Sequence, residues 1–106
     1  MNAIDTLTKI QQLENLYRDG YRSNTVDATV NKLLAIEAAS AEKEAESLER
    51  RLHDFESRYG ISSDEFDRRF HRGELDDSAD MFEWSAYYQM WVTTRDRLRL
   101  LRSMTT

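Results

Sequence analysis

The chain has no cysteine and no proline, and only three glycines and two histidines in 106 residues. Without cysteine there is no disulfide framework and no thiolate metal site, and folding does not depend on an oxidising compartment. Without proline nothing breaks a helix from within, and the few glycines mark where helices stop. His53 and His71 each sit among charged residues, and neither has a second His or Cys at ligand spacing, so no metal and no cofactor is expected. No uncharged run is long enough to span a bilayer, and the start of the chain, with Asp5 and no basic region ahead of an apolar run, does not read as a secretion signal. The expected location is the cytoplasm, with no membrane partner.

What is present is charge and helix-forming residues. Charged residues make up 33% of the chain, and Ala, Leu, Glu and Arg are abundant, as in long helices. No period-2 alternation marks a strand. The net charge of -5 argues against a general nucleic-acid binder, which needs a basic surface to neutralise phosphates. A chain of this length makes one domain, residues 1–106, with a modest core and no room for a large internal cavity, so no small-molecule substrate is expected.

Along the chain, Asn2 is positioned to cap a first helix whose Ala3, Leu7, Ile10, Leu13 and Tyr17 recur at helical spacing up to Gly20. After a short loop, Asn24 with Asp27 three residues on suggests the cap of a second helix. That helix runs from Thr25 to Tyr59, roughly 50 Å at 1.5 Å per residue. Its stripe Val30, Leu34, Ala38, Ala41, Ala45, Leu48, Leu52, Phe55 and Tyr59 keeps strict 4-3 spacing from Leu34 onward, the pattern of a coiled-coil seam. A partner helix, from this chain or a second copy, is needed to cover it. A homodimer through Leu34, Ala38, Ala41, Ala45, Leu48 and Leu52 is expected.

Gly60 ends the long helix. Ser62 and Glu65 then spell a capping box, and Ile61 and Phe66 a hydrophobic staple. The short helix that follows carries Phe66 and Phe70 on one face with Arg68, Arg69 and Arg72 around them, and ends at Gly73. Asp77 or Ser78 caps a last helix reaching about Arg102, in which Trp84, Tyr87, Trp91, Thr94, Leu98 and Leu101 form a second seam. Phe82, Ala86 and Leu100 lie on nearly the opposite side, and a helix that is apolar on two sides usually touches two neighbours. The predicted fold is therefore all-α: a long antiparallel, coiled-coil-like helical hairpin with a short N-terminal helix and a short capped corner helix.

The run from Arg58 to Trp91 concentrates the chemistry. Glu74, Asp76, Asp77, Asp80 and Glu83 place five carboxylates in ten residues with no basic residue among them. Favourable placement at a helix N-terminus explains Asp77 and Asp80 well, and Glu74 and Glu83 poorly. The other reading is an acidic surface for a basic partner. No nucleophile, histidine or phosphate loop stands beside these acids, so no enzyme activity is expected. Phe82, Trp84, Tyr87, Tyr88 and Trp91 are more rings than one seam can bury, and aromatic residues with Arg dominate protein–protein hot spots. The Trp84 face is expected inside, and Phe82 or Tyr88 at an interface. Arg95, Arg99 and Arg102 share a face that offers a weak case for operator DNA, while complementarity to the helix dipole and to acids on the long helix is the simpler account.

The run RYGISSDEFDRRFHRGELDDSADMFEWSAYYQMW resembles one end of a family of small helical prokaryotic proteins, the antitoxin components of type II toxin–antitoxin pairs. The upstream DGYRSNTVDATVNKLLAIE is similar to that family's entry into its long helix, so the resemblance covers about residues 19–91. It implies a cognate toxin protein as partner, neutralisation by direct contact, and no catalysis. The candidate partner-binding residues are Phe66, Arg69, Phe70, Glu74, Asp76, Asp77, Asp80, Phe82, Trp84, Tyr88 and Trp91. The alternatives are a structural homo-oligomeric coiled-coil adaptor and a DNA-binding autoregulator of its own operon.

Overall fold

A computed structural model describes residues 3–105. It is all-helical, with α1 at Ala3–Arg18, α2 at Asn24–Tyr59, α3 at Ser63–His71 and α4 at Ala79–Met104. Asn2 lies outside the described residues, as does the side chain of Ala3. The chain divides into two compact units, Met1–Lys32 and Leu33–Thr106.

In the first unit the turn between α1 and α2 is held by Tyr17, whose hydroxyl donates to the Ser23 carbonyl at 3.0 Å and to Asp27 Oδ1 at 2.7 Å. The expected cap at Asn24 shifts by one residue. Ser23 Oγ accepts from the Val26 amide at 3.2 Å, so Ser23 fills that role and Asn24 is already helical. Asp27 binds the Tyr17 hydroxyl instead of closing a box.

In the second unit α2 and α4 form the antiparallel hairpin. Its register can be read from polar links along both edges. Arg102 meets Glu42 at 3.3 Å, Trp91 Nε1 donates to Glu49 at 3.2 Å, Arg51 donates to the Tyr87 hydroxyl at 3.1 Å, and Arg58 meets Asp80 at 2.8 Å. Numbers rise on α2 as they fall on α4, as antiparallel pairing requires. Between these edges Ala41, Ala45, Leu48, Leu52 and Phe55 of α2 are buried with Trp84, Thr94 and Leu98 of α4. The two alanines let the helices approach closely where α4 carries its own longer side chains.

The corner is built by α3. Ser62 Oγ accepts from the Glu65 amide at 3.1 Å, which is half of the expected capping box. The other half is absent, because the Glu65 carboxylate turns to Arg68 and Arg69, whose hydrogen bonds, Arg68 first, hold it below the ordinary carboxylate range. Ile61 is half-buried against the cluster that contains Phe66, as a staple should be. At the far end of α3, Gly73 takes φ 74°, and the Gly73 and Glu74 amides donate to the Phe70 and Arg69 carbonyls at 3.1 and 3.0 Å. That Schellman arrangement reverses the chain and delivers it to α4. Ser78, not Asp77, caps α4, with its Oγ accepting from the Met81 amide at 3.4 Å.

The centre of the unit is Trp84, with no exposed surface. Its ring stacks on Phe66 at 3.9 Å between centroids and on Phe55 at 5.5 Å, and its Nε1 donates to Ser63 Oγ at 3.0 Å. One indole thus joins α2, α3 and α4.

Asp80 latches the hairpin near this point. It accepts from Tyr59 and from Arg58, and those two hydrogen bonds, Tyr59 first, lower its pKa below the ordinary value near 3.8. A carboxyl whose pKa falls on folding contributes stability above its unfolded pKa and loses it as pH drops through the folded value. Asp80→Asn therefore lowers the melting temperature at neutral pH, and the gap to wild type closes as pH falls through and below the carboxylate range. Paired thermal melts across that range check this.

Candidate protein-binding face

The structure sorts the residues expected at a partner surface into four groups, the last of them Tyr88 and Trp91. Phe66 and Trp84 are fully buried; the Trp84 face lies inside as expected, and as partner contacts both are corrected to core residues, because α3 folds back over α4 and closes on both rings. Asp80 is bound by Arg58 and Tyr59, and Arg69 by Glu65, so each is a structural link first. Phe70, Glu74, Asp76, Asp77 and Phe82 form the third group and are brought together where α3 ends and α4 begins.

Within that third group, Phe82 is 57% exposed although it is an aromatic residue two positions from the buried Trp84. Its ring meets the half-buried Phe70 edge-on at 5.6 Å between centroids. Glu74, Asp76 and Asp77 follow Gly73 on an exposed turn. Asp76 Oδ1 accepts from the Ser78 amide at 2.9 Å, which shapes the turn, and among the described residues none of the three acids has an ion pair. Leu75 between them is half-buried against the core and anchors the turn from below. It was missed in the sequence, where one apolar residue amid acids gives no periodicity.

Tyr88 and Trp91 lie on a different side, beside an open groove of about 240 Å³ between α2, the start of α3 and α4. The carboxylates there are already committed: Glu49 accepts from Trp91, Glu56 from the Ser63 amide at 2.8 Å, and Asp64 from the Tyr88 hydroxyl at 2.6 Å. Tyr88 and Trp91 thus tie α4 to its neighbours and are half-buried in doing so. The Asp64 hydrogen bond pushes the Tyr88 phenol up from 10.0 to about 12. A tyrosine raised on folding contributes stability that is intact below its unfolded pKa and lost as pH rises through the folded one. Asp64→Asn is expected to bring this ionisation back toward 10.0, followed by ultraviolet difference titration with Tyr88→Phe as the control.

The seam residues are also accounted for. Ala41, Ala45, Leu48 and Leu52 are buried within one chain by α4, while Leu34 and Ala38 are half-buried. A dimer through the alanines would have to displace α4. Of the three basic residues considered for DNA, Arg102 pairs with Glu42, and Arg95 lies 4.9 Å over the Trp91 ring and against Asp96, which leaves Arg99 alone outside any ion pair among the described residues. No helix among the described residues is long and apolar enough to cross a membrane.

Fold and face together define an all-α helical hairpin with an apolar and acidic corner open to solvent. Comparison with protein-family models, with curated proteins and with solved structures finds no match to this chain.

Proposed function

We propose that this chain is an antitoxin-like protein that binds a cognate toxin protein directly and neutralises it, without catalysis, in the cytoplasm. The observation that carries the reading is the exposure of Phe82 against Phe70 beside three acids that have no ion pair among the described residues. A ring left more than half in water gives up burial that a partner pocket restores, and aromatic anchors of this kind concentrate binding energy. The acids Glu74, Asp76 and Asp77 then serve as a rim. They steer a basic partner and set its orientation. The resemblance of residues 19–91 to antitoxin components supports the same reading, and the absence of cysteine suits a reducing compartment.

The matching partner surface is an apolar pocket ringed by Lys and Arg. Replacing Glu74, Asp76 and Asp77 by Gln, Asn and Asn is expected to raise the dissociation constant and to flatten its dependence on salt, as measured by titration at two ionic strengths. Unchanged affinity at both salts would restrict these acids to shaping the turn.

A further inference from the structure

Among its described residues the unit Met1–Lys32 has an apolar side and no core of its own. Not one of its described residues is buried, and only Tyr17, Ser23 and Val26 are even half-buried. Leu7, Ile10, Leu13 and Leu16 of α1 are between 41% and 56% exposed, with Tyr21 and Val30 in the same condition. On α1, Leu7, Ile10, Leu13 and Tyr17 share one face by their spacing, and Val26 and Val30 share one face of α2. An isolated helix the length of α1 is marginal in water, and a two-helix hairpin without buried residues adds no packing to stabilise it. Something covers this side when α1 is helical.

Charge points to what that is. Residues 1–32 hold four acids, Asp5, Glu14, Asp19 and Asp27, and four bases, Lys9, Arg18, Arg22 and Lys32. The whole net charge of -5 therefore resides in residues 33–106. A neutral surface of alternating sign offers a strongly charged partner no electrostatic steering, whereas two copies of it meet without the repulsion that acidic surfaces would impose. The extent of the surface fits as well. Six large side chains about half exposed leave several hundred Å² of apolar area per chain, on the scale of the roughly 800 Å² per partner that a standard stable interface buries once its polar rim is included. We infer that the apolar side of α1 and the start of α2 is the contact for a second copy of this chain, two such hairpins packing as a four-helix assembly. This dimer is distinct from one through the alanine seam, which α4 already fills.

The test is the mass of the full-length chain by light scattering across micromolar to hundreds of micromolar concentrations. Wild type runs at twice the 12.5 kDa chain mass, and Ile10→Asp with Leu13→Asp runs as a monomer. Near-ultraviolet circular dichroism reports the Trp84 core separately, and it stays unchanged in the variant, so loss of the dimer is not loss of the fold. Because the chain contains no cysteine, Ile10→Cys supplies a single thiol, and mild oxidation links two copies through α1. A wild type that is monomeric throughout, or a double variant that remains dimeric with its core intact, overturns the inference.

Discussion

Trp84→Ala removes most of the folding stability of the Leu33–Thr106 unit. The indole has no exposed surface, stacks on Phe66 and Phe55, and holds α2, α3 and α4 around one ring. Removing a buried aromatic ring of this size costs about 3–5 kcal/mol. A small domain has only about 5–15 kcal/mol to lose, and one of this length sits toward the low end. Urea unfolding followed by circular dichroism reads the change. The polar contribution separates in a cycle. Ser63→Ala leaves the indole N–H buried without its acceptor and costs about 1–3 kcal/mol. Trp84→Phe removes the donor but leaves Ser63 Oγ buried, so in the Trp84→Phe background Ser63→Ala costs much less than in wild type. Equal costs in both backgrounds would show that the 3.0 Å contact contributes nothing specific.

Phe82→Ala is expected to do the reverse, leaving the fold in place and weakening the proposed contact with a toxin. The ring is 57% exposed and meets the edge of the half-buried Phe70, so the stability change stays within about 1 kcal/mol. If Phe82 is the anchor of the binding face, affinity for the toxin falls by about 30-fold or more, the scale of a hot-spot residue. Isothermal titration with the purified toxin, together with a melt of the variant alone, separates the two effects. A melting temperature that falls steeply while affinity holds would make Phe82 a structural residue.

The contrast between Trp84 and Phe82, two positions apart, was legible in the sequence, because the seam spacing put the Trp84 face inside and left Phe82 on nearly the opposite side. The α2 stripe was likewise legible because 4-3 spacing over about seven turns has one physical meaning, and the α3 cap because Ser62 sits two residues after a helix-ending glycine. What α3 covers was not legible. Its return over α4 places Phe66 inside against Trp84, and that depends on the Schellman turn at Gly73 and on contacts 18 or more residues apart. Asp80 shows the same limit: beside Asp76 and Asp77 it reads as one more surface acid, yet Arg58 and Tyr59 wait for it on another helix. Glu65 fits a box by spacing but finds two closer cations in Arg68 and Arg69. The helix α1 teaches the complement of this lesson. Its periodicity foretold the helix and its apolar face correctly, while periodicity carries no information about which chain covers that face.

The proposal that this chain neutralises a toxin through the Phe82 corner is tested most directly in cells. Growth is followed with the product of the neighbouring gene expressed alone, with this chain, and with its Phe82→Ala variant. The expected result is arrest in the first case, recovery in the second and arrest again in the third. A neighbour that leaves growth unaffected, or a variant that restores growth as fully as wild type, would contradict it.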